Sequence, residues 1–553
     1  MSNGANYVHK HLCTELEDYI KSQYFGKSPL LLTAINSQID KEGVLYQKPY
    51  IESSPAYKSE KNGIQNSNIP AWIKEYFHKL SEAGLGVYSE PFVHQIQALE
   101  AAIKGQDLFV STGTGSGKTE CFMWPLMAKL ATEAKTSAET WCMRGVRAII
   151  MYPMNALVSD QVSRLRRLIG DPENKFINIF RDKCGRDVRR PQFGMYTGRT
   201  PYPGAEPNIT QDRRLEKTLA RMTFPQTDSE KEFFDHLRME GKIPAKTNMQ
   251  EFLERIHNGV HIPNIEDAEL ISRFEMQQFC PDILITNYSM LEYMILRPRE
   301  AKVWNNTKRW LESDVNNKLL FVIDEAHMYR GSAGGEVALL IRRLFHKLGI
   351  TRDRVQFILT TASMPDKNNE DQKAVLRFAN ELTAADTNKS FCYLTGVRED
   401  LSGHRKYDIP FYKFENVDSA DFEENEVTRL NALNVFWRDL DGSITPFKNL
   451  ESASNWMYDH LIEYRPFSEL IDLCRGSAVS LHELAAAIFP DKIENLALQA
   501  VSILLAIAPL AKNEKGAVLF PARMHMLFKG IKGIYSCSNP NCSHSHTDGK
   551  LTM

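Results

Sequence analysis

A short apolar run, Leu108-Phe109-Val110-Ser111, leads directly into Thr112-Gly113-Thr114-Gly115-Ser116-Gly117-Lys118-Thr119, and a helix-forming stretch, Glu120 to Leu130, follows. A strand, a glycine-rich loop and a helix in that order leave few folds open. Glycines permit backbone angles that turn successive N–H groups toward one point. The helix N-terminus adds partial positive charge at the same place. Such a cradle suits phosphate oxygens: Lys118 would reach the β- and γ-phosphates of a nucleotide, and the Thr119 hydroxyl would ligate Mg²⁺. The general pattern opens on glycine, and Thr112 stands there instead, a departure that a small side chain tolerates. ATP and Mg²⁺ are the expected cofactors.

A second signal lies about two hundred residues on. Leu319-Leu320-Phe321-Val322-Ile323 is wholly apolar and ends in Asp324-Glu325-Ala326-His327. A buried strand of this kind delivers both carboxylates to the carboxyl edge of a sheet, where open α/β folds bind ligands. Asp324 suits the metal, and Glu325 suits the orientation and deprotonation of an attacking water. An Asp-Glu pair alone often does no more than cap a helix. The phosphate loop upstream is what gives this pair its meaning.

The rest of the chain can be organised around these motifs. Its 553 residues suggest three or four domains. Apolar runs at 107–111, 147–152, 282–286, 319–323 and 355–360 alternate with amphipathic stretches between residues 86 and 400. That alternation predicts an α/β lobe of the RecA-like type, with a parallel sheet covered on both faces. Residues 200–275 are charged and lack a β run, so they read as a helical insertion. Residues 1–85 read as a helical N-terminal region, 401–465 as a mixed linker, and 466–530 as a mainly helical, winged-helix-like region. In that last region 480–489 and 495–507 would be its helices, and 518–528 its wing. Residues 531–553 form a tail.

Together the motifs resemble those of superfamily 2 DEAD/DEAH-box helicases, and others follow in the family's order. Phe92-Val93-His94-Gln95 resembles the segment whose glutamine reads adenine. Tyr152 to Leu157, with Asp160-Gln161, resembles motif Ia; Tyr196 to Thr200 resembles Ib; Pro281 to Asn287 is similar to Ic. Thr361-Ala362-Ser363 stands where the family has its Ser-Ala-Thr coupling motif. The string Asp324 to Arg343 looks like that of large bacterial helicases of the mitomycin-repair and Druantia anti-phage group. The resemblance implies catalytic roles for Lys118, Asp324, Glu325 and His327, with Gln95 on the base. It also implies a nucleic-acid strand, DNA before RNA, along Asn155, Thr197, Gly198, Arg199, Thr286 and Asn287, held mostly by phosphate contacts.

Several readings stay open on sequence alone. A net charge of −2 argues against binding nucleic acid through bulk charge but not against a local basic groove. The cluster from Arg181 to Arg190 could track phosphates or be a solvated loop; Arg342 and Arg343 read as decoration of a helix face. Nine dispersed cysteines read as reduced, cytoplasmic thiols. Cys537 and Cys542 have the spacing of half a zinc site, and a structural zinc needs four ligands. The stretch from Leu496 to Leu510 is too short to span a bilayer. No QxxGRxGR string follows Thr361. A second lobe, from a longer chain or another subunit, is therefore expected to supply the arginine fingers, and this chain alone is expected to turn over ATP slowly. The competing reading is a catalytically silent nucleotide-binding scaffold; RNA remains the alternative strand.

Overall fold

The computed structural model describes residues 5–22, 33, 36, 39, 43–53, 57–113, 115–201, 209–260, 262–362, 369–385, 391–398, 406–422, 424–440, 446–475, 478–514 and 516–528. The chain divides into two compact units, residues 57–397 and residues 1–56 with 398–553.

The first unit is built on eight strands, numbered here in chain order: β1 Leu108–Ser111, β2 Ala148–Tyr152, β3 Phe193–Tyr196, β4 Glu269–Leu270, β5 Ile283–Asn287, β6 Leu319–Ile323, β7 Val355–Thr361 and β8 Cys392–Thr395. Their spatial order is β4-β3-β5-β2-β6-β7-β1-β8, and every pairing is parallel. All five residues of β2 and of β6 are buried. Alternation splits each strand between two cores. Ile150, Tyr152 and Val322 pack beneath the helix Glu120–Thr136, whereas Ile149, Met151 and Ile323 face the other layer with the helix Ser332–Leu348. Burying each such side chain stabilises the fold by about 1.5–3 kcal/mol. A carboxylate at Val322 would therefore break the sheet at its centre.

Topology then sets the site. The connection from β1 to β2 passes over the places later filled by β6 and β7. The phosphate loop and the Asp324–Glu325 pair thus leave the same sheet edge two strands apart, roughly 10 Å at ordinary strand spacing. Side chains can bridge that gap.

Three strands were not anticipated: β3, the two-residue β4 and β8. β4 lies inside 200–275, so that segment is not wholly helical. Its helices are Ile209–Thr223, Asp228–Met239 and Met249–His257; the side chains of Thr227 and Asn248 accept the N–H groups of Glu230 and Glu251 to start the last two.

In the second unit, Tyr50–Ser53 pairs antiparallel with Val479–Ser480 on one side and Ala522–His525 on the other. Residues 1–85 are therefore not one region, because the chain changes unit between Ala56 and Tyr57. The helices Leu481–Ile488 and Glu494–Ile507 occupy the segments expected for a helix pair, but the wing shrinks to Ala522–His525. Residues 401–465 are more than a linker: Phe414, Phe422, Leu433, Phe436 and Trp437 are buried in the core that also holds Leu484 and Leu504. Among the described residues no helix is long and apolar enough to cross a membrane.

Candidate nucleotide-binding site

The loop after β1 has the backbone its sequence requires. Gly115 and Gly117 adopt φ of 78° and 68°, angles that L side chains rarely take. A Cβ on Gly117 would sit 2.1 Å from Gln95 Nε2. Thr112 and Ser116 join hydroxyls at 2.7 Å across the loop, which gives Thr112 a structural purpose that glycine could not serve. Thr114 lies outside the described residues. Among the described residues no acceptor takes the backbone N–H groups of Gly115, Ser116, Gly117, Lys118 or Thr119. That row of uncommitted donors at a helix start fits the phosphates of a nucleotide.

Lys118 and Glu325 meet. The lysine amine donates to Glu325 Oε1 at 3.3 Å, closing the gap between the edges of β1 and β6. Asp324 is buried; its Oδ1 accepts the Thr360 hydroxyl and the Glu325 N–H at 3.0 Å. Burial raises the Asp324 carboxyl above its ordinary value, Glu325's charge adds to the rise, and the Thr360 bond and Lys118 oppose it. Glu325 holds φ 51°, a left-handed conformation that costs a non-glycine residue about 1–2 kcal/mol. Such strain persists where the surroundings enforce it, as at catalytic turns. Among the described residues Glu325 Oε2 accepts no hydrogen bond, with His327 Nδ1 3.3 Å away. The same His327 nitrogen is 3.1 Å from Thr361 Oγ1. Thr361 in turn offers its carbonyl to Thr112 N at 3.1 Å. The acid pair, the coupling segment and the phosphate loop thus form one bonded circuit. Ala362 follows Thr361, and Ser363 lies outside the described residues.

Gln95 spends both ends of its amide internally, accepting Phe92 N at 2.9 Å and donating to Gly117 O at 3.2 Å. In this arrangement it braces the loop. Its neighbour His94 donates Nε2 to Ser116 O at 2.8 Å, and burial lowers its pKa.

Two further side chains complete the loop's surroundings, and the first escaped the sequence reading. Tyr57 OH accepts the Gly113 N–H at 2.9 Å, and its ring packs against Phe92 and His94. Gly396 makes room for it, since a Cβ there would come within 2.1 Å of that ring. Gln161 reaches the Thr119 hydroxyl at 3.5 Å. Gln161 was legible as part of motif Ia, but nothing in the sequence ties Tyr57 to residue 113.

The strand candidates separate into two kinds. Asn155 and Asn287 are side by side at the ends of β2 and β5, with Asn287 Nδ2 donating to Asn155 Oδ1 at 2.7 Å. Gly198 and Arg199 are exposed after β3. Thr197 and Thr286 are buried instead. Thr286 donates to Tyr196 O at 2.7 Å, and Thr197 Oγ1 accepts Arg199 N at 3.2 Å, so these hydroxyls shape the edge from within.

The basic cluster from Arg181 to Arg190, open between a phosphate track and a solvated loop, is mostly neither, with Arg186 its exposed arginine. Arg189 and Arg190 are buried, Arg189 in a two-pronged pair with Asp282 at 2.7 and 2.7 Å and Arg190 on Glu266 O at 2.9 Å. Arg181 holds Glu266 at 2.7 Å. These cations hold the protein together and do not track phosphates. Arg342 and Arg343 do lie exposed on the helix Ser332–Leu348. Cys537 and Cys542 lie outside the described residues; among those described, no group of three or more His, Cys, Asp or Glu side chains could hold a metal.

Residues 92–212 and 245–371 match the DEAD/DEAH box helicase family. The unmatched stretch between them falls within the 200–275 segment, and the matched parts hold strands β1 to β7 with the motifs. The chain therefore carries a DEAD/DEAH box helicase domain, and that family implies ATP with a divalent metal. Over 98% of its length the chain is 35% identical to Druantia protein DruE of Escherichia coli, of which the match covers 30%. It is 30% identical to the uncharacterized ATP-dependent helicase YprA of Bacillus subtilis over 52% of this chain and 24% of that protein. Among solved structures, the helicase MrfA bound to DNA covers 75% of this chain and 44% of its own at 19% identity, with a TM-score of 0.35. The chain thus spans about a third of the length of its Druantia relative.

Proposed function

We propose that this chain is the nucleotide-binding part of an ATP-dependent helicase or translocase that acts on nucleic acid, with DNA as the strand. The observation that carries the reading is the 3.3 Å contact between Lys118 and Glu325, which brings the phosphate loop and the strand-end acids to one point. The five unclaimed N–H groups from Gly115 to Thr119 would hold the triphosphate, with Thr119 and Asp324 flanking the metal. Bound there, Mg²⁺ would neutralise charge developing on the transferred phosphoryl group. Lys118 would exchange Glu325 for a phosphate and so release the carboxylate. Glu325, held in its strained turn, would then orient a water through the oxygen that accepts no bond. His327 and Thr361 would report the change to the segment after β7.

A nucleic-acid strand would cross the same edge over Asn155, Asn287, Gly198 and Arg199. Arginine from a second RecA-like lobe would complete the γ-phosphate site, so hydrolysis by this chain alone is expected to be slow. The large uncovered part of the Druantia relative leaves room for such a lobe. The test is a fluorescence titration of the chain with a labelled ATP analogue and Mg²⁺, repeated with single-stranded DNA and RNA oligonucleotides. The reading expects Mg²⁺-dependent binding that Lys118→Ala abolishes, and strand binding tightened by the analogue, more for DNA. Binding indifferent to Lys118 would overturn it; tightening confined to RNA would reassign the strand.

A further inference from the structure

An ammonium held in a partly enclosed site needs an opposite charge beside it, and where the protein supplies none an anion can. Lys129 is such a group. It is half-buried on the helix Glu120–Thr136, and among the described residues its amine makes no hydrogen bond and pairs with no carboxylate. The amine is not sealed in the core, because water can reach it.

Lys129 lines a cavity of about 360 Å³. Pro125, Ala128, Lys129, Thr132 and Thr136 recur at spacings of three and four, so they share one stripe of the helix and form one wall. Pro70 and Trp72, at the start of the helix Ala71–Glu82, add an apolar wall with Ile103. The rest comes from the lead-ins of three neighbouring strands: Asn317 and Lys318 before β6, Gln356 in β7 and Gly105 before β1. Those strands carry Asp324, Thr361 and Thr112 at their other ends, roughly 15 Å away at ordinary strand rise. Two acids also line the cavity, and both are engaged. Glu133 holds Arg147 at 2.9 and 3.3 Å and Trp310 Nε1 at 2.8 Å, and Asp314 Oδ1 accepts Asn316 N at 2.8 Å. Lys318 is exposed and, like Lys129, pairs with no carboxylate among the described residues. Burial lowers the Lys129 amine to about 8; Glu133 opposes the fall, and Arg147 and Lys318 add to it. At neutral pH the amine is still mostly charged.

We infer that this cavity binds a small amphipathic monocarboxylate, with its carboxylate on the Lys129 and Lys318 amines and its apolar body against Pro70, Trp72 and Ile103. The volume lies at the lower end of the range for small-molecule sites. An uncharged ligand would displace water from Lys129 and leave its charge uncompensated. A dianion such as a phosphate ester would set a second charge against Glu133 and Asp314. One negative charge on an apolar body meets both conditions. The site is separate from the phosphate loop, so either assignment can fail alone.

The test titrates 3-phenylpropionate into the whole chain at neutral pH, followed by ligand-observed nuclear magnetic resonance, with 3-phenylpropanamide as the uncharged counterpart. The carboxylate should bind about tenfold or more tightly than the amide. Lys129→Met should weaken the carboxylate by about tenfold or more and spare the amide. Lys318→Ala, at an exposed amine, should weaken the carboxylate about two- to fivefold. Lys118→Ala should keep the parent's affinity. The acid-to-amide ratio needs no substitution, so it decides even where Lys129→Met folds poorly. No saturable binding by the parent, equal affinity for acid and amide, or full affinity in Lys129→Met would overturn the assignment. Loss of the carboxylate in Lys118→Ala would put the anion on the phosphate loop and overturn it too.

Discussion

Asp282 and Asp324 are carboxylates buried at opposite edges of one sheet, and their surroundings differ in kind. Asp282, entering β5 at the amino edge, takes both prongs of Arg189 at 2.7 Å, the Gln192 N–H at 2.9 Å and Arg147 at 3.2 Å. Trp141 and Trp310 cover Arg147, with ring centroids 5.3 and 4.9 Å from its guanidinium, and Trp141 also lies under Arg189. Burial would raise the Asp282 carboxyl, yet Arg189, Arg147 and Arg144 together hold it below its ordinary value. Asp324, leaving β6 at the carboxyl edge, is raised by its burial and makes no ion pair among the described residues. The Asp282 site is electrostatically complete. The other is short of a cation, which is the condition a metal-nucleotide site requires.

The largest effect should come from breaking the complete edge. Asp282→Ala leaves the buried Arg189 guanidinium without its anion, while Arg147 keeps only Glu133, and should cost about 3–5 kcal/mol in denaturant unfolding. A loss under about 1 kcal/mol would mean that the pairing is incidental. Asp324→Asn sharpens the contrast at the other edge. Metal-nucleotide affinity should fall about ten- to a hundredfold, while the ligand-free protein becomes more stable at neutral pH.

The pH dependence of the two sites has opposite signs. Asp324's raised carboxyl favours folding below the ordinary carboxylate range, and that contribution is lost as pH rises through the raised value. The stability gap between Asp324→Asn and the parent should therefore widen as pH increases from acid to neutral. Asp282's depressed carboxyl contributes stability above the ordinary carboxylate range, lost as pH falls through the depressed value. Melting curves of the parent, Asp324→Asn and Asp282→Ala across acid to neutral pH would show both trends; parallel curves would erase the distinction.

A smaller effect is expected at Tyr57. Tyr57→Phe removes the acceptor of the Gly113 N–H and should weaken nucleotide binding about two- to fivefold, measured with a fluorescent analogue. Gly396→Ala, which pushes the same ring from its seat, should weaken it further. Smallest is Arg199→Ala, which should lower the salt dependence of DNA binding by about one unit of slope in a log–log titration.

The two edges were unequally legible in the sequence. Lys118 and Asp324 could be read because each motif is local: an apolar strand, then a loop or acid pair whose chemistry sits within a few residues. The opposite edge could not. Arg189 and Arg190 read equally as a phosphate track or a solvated loop because charge density along a chain does not reveal burial, and their partners, Asp282 and Glu266, lie far along the sequence. Tyr57 serves a loop 56 residues away. β4 is two residues long, too short for any alternation to show. Thr197 and Thr286 stand at strand ends, but only packing decides that their hydroxyls turn inward.

The account stands on Lys118 and Asp324 serving one ligand, and a double-mutant cycle on Mg²⁺-dependent analogue binding measures that directly. Lys118→Ala, Asp324→Asn and the double variant should show losses that fail to add, with a coupling of about 1 kcal/mol or more. Losses that sum independently would place the two side chains on separate tasks and contradict the shared site.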